Sequence, residues 1–256
     1  MDREMFRAVM FVLICVLVCA SVSLLYAPTP GRLLWFALLF VPGNMLICYL
    51  VLHPRSQLMV RNRSRVESAG RRSIALTFDD GPSSANTEAL LEILRRKRVK
   101  ATFFVVGRRA EDRPDLLRAV LADGHAVGNH TYSHPSLFCF LSPRRLRAEI
   151  AEGQRVIAAV CGIRPRYFRS PVGLRHPLLS FYLKRAGLEY ISWRVRAFDS
   201  RVQKPEVIRQ RIAGRAAPGD IVLLHDSNCL GVARMLAVLP QLIDDLQQRG
   251  FEFVLV

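Results

Sequence analysis

Two adjacent carboxylates, Asp79 and Asp80, follow a short apolar stretch and stand directly before Gly81-Pro82. Large apolar residues alternate with smaller ones along residues 73–78, which is typical of a buried strand, and Gly-Pro favours a turn after it. Neighbouring carboxylates repel each other unless a cation or a proton separates their roles. The pair alone therefore fits two interpretations equally well, a functional site or a turn in which an aspartate caps the helix that begins near Thr87.

A second polar cluster spans residues 128–135, after a short strand predicted over residues 126–129. His130 and His134 are four residues apart, and one helical turn would place both imidazoles on one face. Such a pair can reach one metal ion, although two surface histidines would show the same spacing. Combined with an aspartate from another strand end, the pair predicts a metal site with two histidines, one carboxylate and open positions for water.

Three more polar groups come at or after the ends of predicted strands. Arg169 follows a Tyr-Phe pair, and its guanidinium could pair with whichever aspartate does not bind the metal. Asp199 follows Phe198, and His225 closes an apolar run. A histidine in that position is often only a satisfied polar residue at the rim of the core, so the sequence leaves its role open.

The elements that must position these residues are short apolar strands alternating with longer mixed segments, from residue 73 to residue 256. Proline opens four of the six predicted helices, and glycine follows several of them. Repeated strand–helix units call for an α/β fold with a parallel sheet, open or closed into a barrel. The strands are predicted at residues 74–78, 101–106, 126–129, 167–169, 190–193, 221–225 and 251–255, and the helices at residues 87–98, 114–122, 143–160, 177–186, 205–215 and 232–249.

The N-terminal part of the chain contains two apolar stretches without a charged residue, residues 8–26 and 33–52. Each is long enough to cross a bilayer as a helix of roughly 17–25 residues. They predict a transmembrane helical hairpin, in which Pro42 could kink the second helix. A cleaved signal peptide is the alternative for the first stretch.

The charge of the chain supports a membrane location. Its formal net charge of +16 indicates an anionic neighbour, and arginines are concentrated between residues 55 and 72. Because basic residues favour the cytoplasmic side, we expect the hairpin in the inner (cytoplasmic) membrane with the following domain on its cytoplasmic face. The six cysteines form no Cys-x-x-Cys pair, which agrees with a reducing compartment. No nucleic-acid motif occurs, and no nucleic acid is expected as a partner.

The motifs taken together resemble the NodB-type polysaccharide deacetylases (carbohydrate esterase family 4). They are Thr-Phe-Asp-Asp-Gly-Pro, His-Thr-Tyr-Ser-His, Arg-Ser-Pro-Val-Gly, Asp199 and Leu-Leu-His, in this order. The resemblance covers residues 72–256 and implies the family's irregular (β/α)7 barrel, which explains a domain shorter than an eightfold barrel. We therefore predict a membrane segment over residues 1–54, a basic linker over residues 55–71 and a catalytic domain over residues 72–256.

The resemblance also implies one divalent metal ion, with Zn2+ expected, held by Asp80, His130 and His134. The backbone N–H of Val172, which follows Pro171, would donate to the oxyanion that forms during hydrolysis. The family usually has a tyrosine in place of Val172. The backbone N–H is present whichever residue stands there. The difference is therefore expected to alter the shape of the sugar pocket rather than the reaction.

The remaining roles implied by the resemblance belong to proton transfer. Asp79 would be the general base, and Arg169 would orient it. His225 would be the general acid that protonates the leaving amine, and Asp199 would orient or tune it.

The resemblance implies a metal-dependent hydrolase that removes an N-acetyl group from an amino sugar. Its substrate would be a glycolipid, a lipid-linked sugar or a polysaccharide, and the predicted hairpin favours a lipid-linked sugar. A non-catalytic envelope scaffold or binding protein that retains the barrel is the alternative. Such proteins usually lose a metal ligand or the base, whereas this chain keeps all of these residues.

Overall fold

The structure is a computed structural model that describes residues 41–53, 56–67, 70–200, 204–227 and 230–256. Short 3-10 turns lie at Phe138–Phe140 and Pro171–Gly173. Within the described ranges the strands are β1 (Asn62–Arg63), β2 (Ser73–Gly81), β3 (Thr102–Val105), β4 (Ala126–Asn129), β5 (Tyr167–Phe168), β6 (Glu189–Ile191), β7 (Val195–Arg196), β8 (Ile221–His225) and β9 (Glu252–Phe253). The helices are α1 (Val41–Leu52), α2 (Ser84–Lys97), α3 (Gly107–Asp112), α4 (Pro114–Ala122), α5 (Pro143–Cys161), α6 (Leu179–Ala186), α7 (Pro205–Arg215) and α8 (Leu230–Gln248).

The strands form one curled parallel sheet. Their order is β1-β6-β5-β4-β3-β2-β8-β7, and β9 pairs with the start of β2. β6 ends at Ile191 and β7 begins at Val195, although the two strands lie near opposite sides of the sheet. A short connection can join them only if the sheet curls until its two sides approach each other. An antiparallel bridge between Arg65 and Asp220 also links the β1 side to the β8 side. The predicted α/β fold with a parallel sheet is confirmed, and the sheet curls into a half-barrel that fits the (β/α)7 type implied by the resemblance.

The two faces of β2 pack against different parts of the protein. Ile74, Leu76 and Phe78 are fully buried in the large core that the helices complete. Ala75 belongs to a different cluster, which it shares with Trp193 and other residues of the sheet interior. Successive side chains of a strand point to opposite faces. In β2, the small or polar side chains therefore face the interior of the curled sheet, and the large apolar ones pack against the helices.

The predicted elements agree with the structure in position and type, and three short elements were missed. α4 and α7 span the predicted residues, whereas α3, β1 and β7 were not predicted. β1 and β7 have two residues each and both contain an arginine, so no hydrophobic period marks them. β1 lies within the segment predicted as a basic linker and pairs in parallel with β6.

The predicted transmembrane hairpin lies mostly outside the described residues. This applies to residues 8–26 and to residues 33–40 of the second stretch, whose remainder is α1. Within the described ranges, no helix combines the length and the apolar character needed to span a bilayer. The hairpin stays a prediction.

Candidate active site

Asp79 and Asp80 both turn toward one edge of the curled sheet, because the end of β2 is irregular. Asp80 has a φ of 72°, in the left-handed region, and the pairing of β2 with β3 shifts register between Asp79 and Gly81. A regular strand would send these neighbouring side chains to opposite faces. A Cβ at Gly81 would stand 2.4 Å from Oδ2 of Asp226, so any larger residue there would displace this buried carboxylate.

The alternative interpretation, in which one of these aspartates caps the next helix, is wrong. Ser83 is the N-cap of α2, and its backbone N–H donates to the Thr87 hydroxyl over 2.7 Å. The Thr87 hydroxyl in turn donates to Asp226 over 2.6 Å. The start of α2 is therefore held by residues other than Asp79 and Asp80.

Asp80, His130 and His134 form a ligand trio. One oxygen of Asp80, Oδ1, lies 3.4 Å from Nε2 of His130 and 3.1 Å from Nε2 of His134. Burial opposes ionisation of Asp80, but its hydrogen bonds to both histidines hold the pKa of this carboxyl well below its usual range. The His130 side chain is 1% exposed and that of His134 is 29% exposed, so the trio opens to solvent on the side of His134.

The two histidines converge through a loop and not through the helical turn that their spacing predicted. β4 ends at Asn129, and the following residues are not helical. Thr131 and His134 have φ values of 68° and 55°, and the backbone N–H of His134 donates to the Thr131 hydroxyl over 3.1 Å. Left-handed backbone at residues other than glycine is uncommon and often accompanies functional sites. Here it turns the second imidazole back toward the first.

The donors of the trio fit a divalent metal ion. Their candidate ligand atoms all lie within 4.8 Å of one another. Ligands at about 2.0–2.2 Å from a tetrahedral zinc ion stand roughly 3.3–3.5 Å apart, close to the two observed distances. Nδ1 of His130 lies 2.7 Å from the backbone oxygen of Arg169, an acceptor, so Nδ1 carries a proton. A metal ion would therefore replace the proton that Nε2 shares with Asp80, and Nε2 would be the ligand atom. Two imidazoles and one carboxylate are a ligand set that metals such as Zn2+ and Fe2+ accept.

Asp79 is oriented by a buried ion pair. Its Oδ1 accepts a hydrogen bond from Nη1 of Arg169 over 2.7 Å, and the Arg169 side chain is fully buried. The other oxygen, Oδ2, stands 3.9 Å from Nε2 of His130. One carboxylate oxygen is thus fixed by the guanidinium while the other faces the ligand trio.

Arg169 occupies the interior of the curled sheet. Its guanidinium also donates to the Thr77 hydroxyl over 2.8 Å and to the backbone oxygens of Ile191 and Ser192 over 3.2 and 3.1 Å. Its charged centre lies 4.0 Å from the ring centre of Phe104. A single arginine therefore ties β2 to β6 across the interior, in addition to orienting Asp79.

His225 and Asp199 form a second pair at the same edge. β8 places His225 in register with Asp79 of β2. Nδ1 of His225 lies 2.8 Å from Oδ1 of Asp199, and the His225 backbone N–H donates to Oδ2 over 2.8 Å. Burial disfavours the charged imidazole, but the hydrogen bond to Asp199, its charge and the charges of Asp79 and Asp80 raise the pKa of His225 to about 9. The imidazole can therefore hold a proton at neutral pH.

Asp199→Asn is expected to shift the alkaline fall of activity toward lower pH. The variant loses the charge that raises the pKa of His225, so a protonated His225 becomes scarce at a lower pH. The stability that protonated His225 contributes is full below its unfolded pKa of about 6.5 and disappears as pH rises toward 9. The stability difference between wild type and variant should shrink over that window. Activity and the free energy of unfolding, each measured between pH 6 and 10, check the two expectations. If the pH at which activity falls on the alkaline side is the same in wild type and variant, Asp199 does not tune His225.

Val172 lies in the 3-10 turn that follows Arg169. Its φ of 58° is unusual for a β-branched residue, and its side chain is 55% exposed. Gly173 follows with a φ of 76°, and a Cβ there would approach the Trp193 ring to 2.4 Å. Within the described part of the chain, no acceptor takes the Val172 N–H, whereas the N–H of Gly173 bonds to Ser170. The role of this N–H as an oxyanion donor stays a prediction.

The structure brings the three predicted metal ligands together with Asp79, Asp199 and His225, and Arg169 lies in the interior beside Asp79. Sequence reasoning assigned no role to Thr77 or Asp226. Thr77 lies on the same face of β2 as Asp79, two residues away. The two-residue alternation of a strand could have identified Thr77 as a neighbour of Asp79 in the site. Asp226 is fully buried, and its backbone N–H donates to the Asp79 oxygen over 2.7 Å. Burial raises the pKa of Asp226 to about 6, against the lowering by the hydroxyls of Thr87 and Ser83. No feature of the sequence indicated that Asp226 would form a hydrogen bond with the backbone of Asp79.

Fold and site together define an α/β protein that carries candidate metal ligands and proton carriers at the carboxyl ends of parallel strands, where enzymes of this architecture place their active sites. The chain matches the family described as polysaccharide deacetylase over residues 67–191. It is 37% identical over 191 residues to the chitooligosaccharide deacetylase of Azorhizobium caulinodans, with 70% of this chain and 90% of that protein covered. The chain therefore belongs to the polysaccharide deacetylases, and the resemblance to the NodB-type family is confirmed.

Solved structures of the same family agree with the fold. The Bc1960 peptidoglycan N-acetylglucosamine deacetylase has a TM-score of 0.70 and 29% identity, covering 76% of this chain and 90% of that one. BA3943 of Bacillus anthracis, described as a family pseudoenzyme, has a TM-score of 0.69 and 26% identity, covering 76% and 67%. Since active and inactive proteins share this fold, the argument for activity depends on the residues at the site.

Proposed function

We propose that this protein is a metal-dependent hydrolase that removes an N-acetyl group from an amino sugar, with Zn2+ as its ion. The observation that carries the proposal is the convergence of the ligand trio with two separate proton-carrying groups, Asp79 and His225, at one edge of the sheet. The relatives support the reaction, because their names describe deacetylases of chitooligosaccharide and of peptidoglycan N-acetylglucosamine.

Asp80, His130 and His134 would hold the ion. When bound, a divalent ion polarises the amide carbonyl and lowers the pKa of a coordinated water toward about 7. The permanent charges at the site support a cation there, because the carboxylates of Asp79, Asp80 and Asp199 outnumber the guanidinium of Arg169. The remaining chemistry is proton transfer and orientation by the residues of this chain.

The two proton-carrying groups have one free atom each. Oδ2 of Asp79 is not bonded to Arg169, and it would take the proton from the attacking water. The water oxygen bonds to the carbonyl carbon, and the Val172 N–H would donate to the oxygen that becomes negative. Nε2 of His225 lies on the far side of the ring from Asp199, and it would give its proton to the nitrogen as the C–N bond breaks. The products are acetate and a free amine.

We also propose that the protein is anchored in the inner membrane, that its catalytic domain lies on the cytoplasmic face, and that its substrate is a lipid-linked amino sugar or a glycolipid. The uncharged stretches at residues 8–26 and 33–52 and the arginines after them support this location. A reporter fused to the C-terminus of the full chain tests the orientation. Reporter activity restricted to the periplasm would overturn it.

The test of the reaction is acetate release by the full-length, zinc-loaded protein in detergent. The substrates are polyprenyl-phosphate-linked N-acetylglucosamine, chitooligosaccharides and peptidoglycan, and we expect the lipid-linked sugar to be preferred. Removal of the metal with a chelator should abolish release, and returning Zn2+ should restore it. Tight metal binding without acetate release from any of these would favour the non-catalytic scaffold.

A further inference from the structure

Two large apolar side chains project from the loop that follows the ligand trio. Leu137 is 66% exposed and Phe140 is 80% exposed, whereas Phe138 between them is fully buried. Phe138 packs against Phe168 of β5, with ring centres 6.1 Å apart. The 3-10 turn is therefore anchored in the core, and its two outward apolar groups are held in place three to six residues after His134.

Hydrogen bonds connect this turn to the loop of Val172 and to helix α1. Nε2 of His176 lies 3.0 Å from the backbone oxygen of Leu141, directly after Phe140. The neighbouring residue, Arg175, donates its backbone N–H to Val51 over 3.1 Å and its guanidinium to the backbone oxygen of His53 over 2.5 Å. Hydrogen bonds thus hold together the end of α1, the segment after Val172 and the apolar turn, which begins three residues after His134.

This surface, which we call the mouth surface, carries six large exposed apolar side chains. Its exposed side chains are those of Leu137, Phe140 and Val172 together with three residues of α1, Met45, Leu46 and Tyr49. Scattered exposed apolar residues are ordinary, but a contiguous group next to a site marks a surface that is covered in use.

The chain indicates what covers the mouth surface. Arg144, Arg145 and Arg147 are exposed in the first turns of α5, four to seven residues after Phe140, and they form no ion pair with other described residues. Apolar tips beside unpaired basic side chains are typical of surfaces that insert into the headgroup region of anionic membranes. Moreover, the chain enters α1 from residues 33–40, which carry no charge. Both features favour a bilayer over a protein partner.

We propose that the mouth surface lies against an anionic phospholipid bilayer, with the ligand trio opening toward the headgroups. The site then selects amino sugars carried on a membrane lipid over free oligosaccharides. The substrate part of this inference rests on the proposed deacetylase function, whereas the contact with lipid does not. The two parts are therefore tested by separate measurements.

The first measurement is photocrosslinking of the full chain in vesicles of phosphatidylglycerol and phosphatidylcholine. Phe140→p-benzoylphenylalanine is compared with the same replacement of Ile163, which is 52% exposed after the other end of α5. A helix of 19 residues separates the two positions by about 28 Å. We expect lipid adducts at position 140 to exceed those at position 163 by at least about tenfold. Equal yields, or adducts to another protein in native membranes, would overturn the proposal.

The second measurement is substrate choice. We compare Leu137→Ser/Phe140→Ser with the control Ile163→Ser/Leu255→Ser, whose residues lie away from the mouth, beyond α5 and after β9. The ratio of kcat/KM for polyprenyl-phosphate-linked N-acetylglucosamine to that for a soluble chitooligosaccharide should fall about tenfold in the first variant only. An unchanged ratio would overturn the proposed selection. Absence of acetate release from wild type would instead refute the deacetylase function, and the lipid adducts would still decide the contact.

Discussion

Asp79→Asn is expected to reduce acetate release by about 10³-fold while the protein still binds its metal ion. Asn retains an oxygen for Arg169, so the geometry of the pair survives, but it cannot accept a proton from water. Metal binding should persist because Asp80, rather than Asp79, contacts both histidines, at 3.4 and 3.1 Å. Acetate release and metal content measured on the same samples check this result.

Asp80→Asn is the comparison that separates the two carboxylates. It should lose metal and activity together, because it weakens the oxygen shared by His130 and His134. If Asp79→Asn also loses its metal, Asp79 is a ligand and the division of roles is wrong. If it keeps activity within about tenfold of wild type, another group takes the proton.

Asp79→Asn should also lower the free energy of unfolding. The Asp79 side chain is 6% exposed and that of Arg169 is fully buried, so the variant leaves a buried cation without its counter-charge, which costs about 3 kcal/mol. Asp244→Asn is the control, because its ion pair with Lys97 is partly exposed and contributes about 1 kcal/mol at most. Denaturant unfolding of the metal-free proteins measures both.

The elements and most of the site could be predicted from the sequence, because local patterns determine them. The apolar run before Asp79, proline at the first turn of α4, α5 and α7, and glycine at the end of α5 and α6 are all local signals. Parallel strands then bring their carboxyl ends to one edge, so residues such as Asp79, His130 and His225 were expected to meet there.

The geometry at the ends of the strands could not be predicted in this way. The left-handed backbone of Asp80 adjoins Gly81, which Asp226 approaches closely. The loop that ends at His134 is held by Glu149 of α5, whose carboxylate accepts a hydrogen bond from the Ser133 N–H. The helical turn assumed for the two histidines was wrong for the same reason. β1 and β7 depend on closure of the sheet and not on their own two-residue sequences. Tertiary contacts override local preference where the chain is short or strained.

Arg169 contributes both to the stability of the sheet and to the orientation of Asp79. Arg169→Met is expected to lower the free energy of unfolding by about 3–5 kcal/mol. The change leaves Asp79 buried and unpaired and removes hydrogen bonds to Thr77, Ile191 and Ser192. Burial lowers the pKa of Arg169 and Asp79 opposes this, but a guanidinium stays charged in either case. Acetate release should fall as well, because Asp79 loses the group that fixes one of its oxygens.

A double-mutant cycle with Asp79→Leu separates the ion pair from the other contacts of Arg169. The double variant Arg169→Met/Asp79→Leu has no buried charge at this position, so it should be more stable than Arg169→Met although it is inactive. Arg169→Lys keeps the charge but not the fork of donors that reaches both β2 and β6, so it should recover only part of the stability. If the double variant is as unstable as Arg169→Met, the interior hydrogen bonds of Arg169 outweigh the ion pair, and Arg169 supports the sheet first and Asp79 second.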